Sequence, residues 1–274
     1  MLIAQISDPH IVGRHKKAFG IAPTAENLGR CVDHVNQLSP EPDLVLVTGD
    51  VTNTGLLAET EQAASLLAAL RCPFYVIPGN HDDRSNFWAV FGEGACPARY
   101  QGFVNYVIEG LDIRLIALDS MVPGHSGGEI CRTRAAWLEQ RLAEAGAKPT
   151  IIFMHHPPVR CGVPETDIDG FEGAERLGDI VEKYANIERI ICGHIHLPAH
   201  VRWRGTVVST APSVSMQLVL DLTGGRDSQF VLDAPGYQLH HWTPDANLVT
   251  HTIHLGRADS RGPFLFEEHD EADP

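Results

Sequence analysis

Five times in this chain a short apolar run gives way to polar residues of the kind that hold metal ions. Residues 2–6 lead into Asp8 and His10, residues 44–47 into Gly49-Asp50, and residues 74–77 into Gly79-Asn80-His81. Residues 151–154 lead into His155-His156, and residues 190–192 into Gly193-His194-Ile195-His196. Such near-continuous apolar runs suit strands buried on both faces of a largely parallel sheet. Between them apolar residues recur at helical spacing. Leu28, Cys31, Val32, Val35 and Leu38 share one face across residues 26–38, and residues 58–70 and 133–145 continue the pattern. Leu177, Ile180, Val181 and Tyr184 do the same across residues 174–184. Alternating strands and helices predict an α/β fold. In such sheets ligands bind beyond the carboxyl ends of the strands, where all five clusters lie, so the clusters are expected to meet at one site. A sixth run, residues 114–118, ends in Asp119-Ser120 with a single ligand-type side chain, and Asp119 is expected to brace the following loop. Residues 207–254 read as short strands separated by turns, expected to form a second, antiparallel or mixed sheet packed on the first.

Composition narrows the function classes. The chain has 274 residues, 43% of them hydrophobic, enough for one large domain with its own core. We place that domain at residues 1–258, with a cap-like segment at about 213–237 and an acidic, flexible tail at 259–274. A net charge of −14 argues against a general nucleic-acid surface, and no apolar stretch approaches the ~20 residues of a membrane span. The first residues, MLIAQISDPH, lack the basic and small-residue features of a secretion signal. The six cysteines form no C-x-x-C pair and read as reduced packing residues of a cytoplasmic protein.

The chemistry lies in the spacings D-x-H, G-D, G-N-H-D, H-H and G-H-x-H, which supply Asp, Asn and His donors but no Cys. In extended backbone residues i and i+2 point the same way, so Asp8 with His10, and His194 with His196, would each present two donors to one side. Oxygen and imidazole donors suit Mn, Fe, Zn or Co. There are too many for one ion, and two ions sharing a carboxylate fit better.

These motifs resemble the calcineurin-like metallophosphoesterase superfamily, and within it the bacterial cyclic-nucleotide phosphodiesterases and glycerophosphodiesterases. The resemblance covers most of the chain, with its motif core at about residues 3–212. It implies a four-layer αββα sandwich with two mixed β-sheets, the second taking up the C-terminal strands, and a small C-terminal cap or dimerisation region. It implies that Asp8, His10 and His196 bind one metal, that Asn80, His155 and His194 bind the other, and that Asp50 bridges them. His81 corresponds to the outer-sphere histidine beside the scissile phosphate, the catalytic residue, and Asn80, His81 and His196 would touch the substrate. The resemblance also implies a homo-oligomer, a dimer or higher. Asn53 stands where purple acid phosphatases carry a tyrosine, so no tyrosinate-to-iron colour is expected.

The function so implied is a dinuclear metal-dependent phosphodiesterase. Its substrates would be small phosphodiesters, 3′,5′-cyclic nucleotides such as cyclic AMP or glycerophosphodiesters, cleaved by attack of metal-bound hydroxide. With two divalent ions, two aspartates and one hydroxide the site carries about +1, suited to a diester monoanion. Alternatives are a phosphomonoesterase of the same fold or a non-catalytic scaffold, though no implied ligand is missing. No membrane or large nucleic-acid partner is expected. His156 would point away from the site if the strand before it continued. Asp82 and Asp83 could brace the loop, hold a ligand's tautomer, cap a helix or face water, and the run Arg14-His15-Lys16-Lys17 reads as a solvated loop.

Overall fold

The computed structural model describes residues 1–224, 229–232, 235–243, 245 and 247–256. The first apolar run forms β1 (Leu2–Ile6), followed by α1 (Thr24–Val35), β2 (Leu44–Thr48), α2 (Leu57–Leu67) and β3 (Phe74–Ile77). The three strands pair in parallel, with Ile3 opposite Leu44 and Val45 opposite Phe74. In α1 the expected stripe of Leu28, Cys31, Val32 and Val35 is buried. A further helix, α3 (Arg84–Phe91), follows β3. Its apolar stripe is short, Phe87 and Phe91, and the sequence pattern does not give it.

The chain then starts a second sheet with β4 (Tyr106–Ile108) and β5 (Arg114–Ala117), an antiparallel pair. It continues through β6 (Gly128–Glu129), α4 (Arg132–Ala145), β7 (Thr150–Phe153), the single turn α5 (Pro164–Asp167), β8 (Phe171–Glu172) and α6 (Ala174–Val181). After these come β9 (Ile187–Cys192), β10 (Ala199–Trp203) and β11 (Thr206–Thr210). A small hairpin, β12 (Gln217–Leu218) with β13 (Phe230–Val231), precedes the long pair β14 (Gly236–Thr243) and β15 (Asn247–His254).

One sheet runs β15-β14-β1-β2-β3 and the other β10-β11-β9-β7-β5-β4, so both are mixed, as the αββα sandwich requires. The strands are shared between them otherwise than the sequence pattern predicts. The five motif-bearing strands do not lie in one sheet: β1, β2 and β3 belong to the first, β7 and β9 to the second. Nor do the C-terminal strands make up the second sheet. β14 runs antiparallel along the free edge of β1, and only β10 and β11 join the second sheet, where β11 lies parallel to β9. A run buried on both faces carries no periodicity that tells which sheet it joins. The two inner faces meet in one apolar core that reaches from Ile3 to Leu255.

A smaller cluster of Val12, Ala18, Ala22 and Met216, with Phe230 against it, fastens the 12–22 loop to the β12–β13 hairpin. That hairpin lies in the segment read as cap-like, of which residues 225–228 and 233–234 lie outside the described residues. The boundary at 258 and the tail 259–274 also lie outside them. Among the described residues no helix is long and apolar enough to cross a membrane.

Candidate metal centre

Each motif stands where its strand ends, and the two sheets bring the five ends together. The backbone there is not extended. Asp8 (φ 54°), His10 (φ 46°), Asp50 (φ 47°), His194 (φ 73°) and His196 (φ 56°) all adopt the left-handed conformation, which costs a residue with a Cβ roughly 1–2 kcal/mol. The i, i+2 spacing therefore brings Asp8 and His10 together through left-handed rather than extended backbone. It fails for His194 and His196, which turn into different donor groups. Strain gathered at one point of a fold marks a site whose geometry is imposed from around it.

Four sets of donor atoms each lie within 4.8 Å of one another: Asp8, His10 and His196; His155, His156 and His194; His10, Asp50 and His81; and Asp8, Asp50 and His155. Asp50 belongs to two of them and stands between the sheets, its Oδ2 3.7 Å from His10 Nε2 and 3.4 Å from His155 Nε2. His196 Nε2 lies 3.0 Å from His10 Nε2 and 3.6 Å from Asp8 Oδ1. Asn80 Oδ1 lies 3.1 Å from His155 Nε2 and 3.2 Å from His156 Nε2. Asp8, His10, Asp50 and His155 are buried.

Backbone carbonyls set the tautomers. His155 Nδ1 donates to Thr48 O (2.8 Å), His196 Nδ1 to Met216 O (2.9 Å) and His81 Nδ1 to Asn53 O (2.8 Å). Each ring then turns an unprotonated Nε2 inward, the arrangement metal-binding imidazoles adopt. The inner wall is thus a set of lone pairs facing one another, and among the described residues buried His10 Nδ1 has no hydrogen-bond partner. Such a cluster demands a cation. Without metal it draws in a proton: burial disfavours an imidazolium at His155, yet the Asp50 carboxylate, helped by Asp8, outweighs it and raises His155 to about 9. Burial pushes His10, His196 and His156 below the ordinary imidazole range, so these rings are neutral donors. Asp50 is held well below the carboxylate range; burial opposes this, but His155 prevails. The donor set, all oxygen and imidazole, fits the borderline divalent ions expected from the motifs.

The glycines in front of the donors make room for this packing. A Cβ on Gly79 would overlap Asp50 Oδ1 and lie 2.8 Å from His155 Nε2. Gly49 needs both its freedom (φ 89°) and its bareness, because a Cβ there would run into the His155 ring.

The acidic pair after His81 has separate duties. Asp82 is buried and accepts from Val51 N (3.1 Å), Gly79 N (2.9 Å), Thr52 N (2.8 Å) and Thr52 Oγ1 (2.7 Å). It therefore ties the loop after β2 to the loop after β3. Asp83 caps α3, its Oδ1 accepting from Ser85 N and Asn86 N, both at 2.9 Å. His81 is fixed at two points, since its own N–H also donates to Asp50 Oδ1 (2.9 Å). Asp119 braces its loop as expected, accepting both Arg84 Nε (2.7 Å) and Val104 N (3.0 Å). Arg14, His15, Lys16 and Lys17 are exposed.

His156 is a further correction. β7 ends at Phe153, so alternation stops before the His-His pair and His156 turns into the site rather than away. Its Nδ1 lies 2.8 Å from Ser120 Oγ. The sequence reading also missed the cavity of about 410 Å³ that opens beside His156 and His194, walled by Pro158, Arg160, Thr166 and Phe171. Residues 157–171 carry no motif, and only the H-H cluster just before them marks their place.

Three comparisons with known proteins agree with this geometry. A family model described as calcineurin-like phosphoesterase matches residues 1–198. A probable glycerophosphodiester phosphodiesterase of Arcobacter nitrofigilis is 38% identical over 274 residues, 98% of each chain. The 3′,5′-cyclic adenosine monophosphate phosphodiesterase of Escherichia coli is 29% identical, covering 94% of this chain and 90% of that one. Among solved structures, a dimetal phosphatase from Danio rerio superposes with a TM-score of 0.68 at 13% identity, over 93% of this chain and 99% of that one.

Proposed function

This chain belongs to the calcineurin-like phosphoesterase family, and we propose that it is a dinuclear metal-dependent phosphodiesterase acting first on glycerophosphodiesters. The observation that carries the reading is the place of Asp50, a buried carboxylate within reach of donors from both sheets. In this reading Asp8, His10 and His196 would hold one ion and Asn80, His155 and His194 the other, with the Asp50 carboxylate available to both. When bound, a pair of Mn, Fe, Zn or Co ions neutralises the phosphoryl oxygens and supplies water acidified to a pKa of about 7.

The chain's own residues do the rest. Asn80 turns Oδ1 toward His155 and His156, which leaves its NH₂ to donate to a phosphoryl oxygen. His156, held at its other nitrogen by Ser120, orients that amide. His81 keeps its Nδ1 proton on Asn53 O, which leaves Nε2 facing the site as the ring atom through which a proton from solvent reaches the leaving alkoxide. His196 flanks the substrate on the opposite side. The cavity beside His156 and His194 receives the leaving group.

Glycerophosphodiesters are favoured because, besides the Arcobacter relative, the glycerophosphodiester phosphodiesterase of Enterobacter lignolyticus is 34% identical over 98% of this chain. All six cysteines are unpaired, which supports a cytoplasmic location. Exposed Leu220, Leu222, Val231 and Leu232 in the cap-like segment support self-association. Specificity constants of the Mn-loaded chain on glycerophosphoethanolamine and cyclic AMP test the substrate. A higher constant for cyclic AMP overturns the preference, and activity on p-nitrophenyl phosphate alone overturns the diesterase.

A further inference from the structure

Directly behind the metal ligands lies Gln5, on β1 with no exposed surface. A buried primary amide is costly unless its hydrogen bonds are made, and here they are made in three directions. Nε2 donates to Thr48 Oγ1 and to Cys192 O, both at 2.9 Å. Oε1 lies 2.9 Å from His240 Nε2, and since an amide oxygen only accepts, that nitrogen carries the His240 proton. His240 Nδ1 then accepts from Thr250 Oγ1 (2.8 Å), so the ring is held at both ends.

The partners matter more than the number of bonds. Thr48 belongs to the first sheet and stands two residues before Asp50; its carbonyl accepts the His155 Nδ1 proton. Its hydroxyl, the acceptor for Gln5, donates onward to Ser7 Oγ (2.8 Å), next to Asp8. Cys192 belongs to the second sheet and stands two residues before His194. One side chain thus grips the roots of the motifs on both sheets, and β14 grips that side chain through His240. Because donors for each ion come from both sheets, the separation of the sheets at this level sets the span of the site.

We propose that Gln5, steadied by His240, is a positioning residue that fixes the spacing between the metal ligands of the first sheet and those of the second. This rests on the dinuclear reading of the site. Removing the amide lets the ends of β1 and β9 relax apart while deleting no metal donor, so the loss falls on metal affinity rather than on any reacting group.

The test is calorimetric titration of Mn(II) into the metal-free full chain, with thermal unfolding alongside. Gln5→Leu is expected to weaken at least one Mn(II) dissociation constant by about 10–100-fold, as loss of support behind metal ligands generally does. Leu142→Ala, in the core on α4, supplies a destabilised control that should bind Mn(II) like the parent. His240→Leu should weaken binding in the same direction, and His240→Gln, whose amide can still donate to Gln5, should restore it. Unchanged Mn(II) binding in Gln5→Leu, or equal weakening in Leu142→Ala, overturns the proposal. If Gln5→Leu does not fold, equal affinities in the two His240 variants overturn it instead. A parent chain that binds no second Mn(II) defeats the functional reading itself and this inference with it. Two ions bound equally by parent and Gln5→Leu defeat the inference alone.

Discussion

Adding one methyl group at Gly79 should disable this enzyme without removing any functional atom. The backbone at Gly79 lies outside the left-handed region, so alanine is conformationally allowed and the effect is steric. Its Cβ would overlap Asp50 Oδ1 and the Asp50 backbone nitrogen and press on His155 Nε2. Restoring ordinary contact moves the Asp50 carboxylate by about 1 Å, a misplacement that costs roughly 100-fold in rate. Overpacking at a tight site costs about 1–3 kcal/mol, which for a chain of this size lowers the melting temperature by roughly 2–12 °C. The matching control is Gly29→Ala in α1, where a Cβ meets nothing within 4 Å. Helix propensity predicts that it stabilises by up to about 1 kcal/mol, with unchanged turnover. Initial rates on bis(p-nitrophenyl) phosphate and metal content after Mn(II) loading decide the matter. If Gly79→Ala keeps parental rate and metal content, Asp50 and His155 do not sit where the chemistry needs them.

His81→Ala should retain its metals and lose about 10²–10⁴-fold on alkyl diesters but far less on p-nitrophenyl diesters, whose leaving group needs no proton; equal losses on both would remove His81 from the proton-donor role. Asp83→Ala should cost about 1 kcal/mol in urea unfolding through loss of the α3 cap, with turnover unaffected, and a large drop in turnover would reveal a role at the site. Burial holds His240 down to about 3, below its ordinary 6.5, so between these values the unfolded chain binds the extra proton and stability rises with pH, levelling off above 6.5. The slope is about 1.4 kcal/mol per pH unit, and His240→Gln should therefore shrink the difference in unfolding free energy of metal-free protein between pH 4.5 and 7 by about 3 kcal/mol. An unchanged difference would mean that His240 is not buried as a neutral ring.

What the sequence revealed and what it hid follow from the range of each signal. The donors are legible because each cluster is local, a strand end with two or three residues attached. The αββα class is legible from the resemblance those clusters carry. The allocation of strands to sheets is not, because β1, β2 and β7 are buried on both faces and read alike. Alternation carried past Phe153 misplaces His156, because the strand stops there. Gln5 and His240 gave no signal, since a lone glutamine in an apolar run shows its worth only when partners from residues 48, 192 and 240 are in view. Asp82 and Asp83 look alike in sequence, and their division into loop tie and helix cap depends on α3, which has too short a stripe to announce itself.

The central claim is that donors from two sheets build one site for two ions with Asp50 shared between them. Anomalous diffraction from crystals loaded with Mn(II) tests it most directly. Two peaks are predicted, one touching Asp8, His10 and His196, the other touching Asn80, His155 and His194, with Asp50 in contact with both. A single peak, or two peaks of which either leaves Asp50 untouched, would contradict the account.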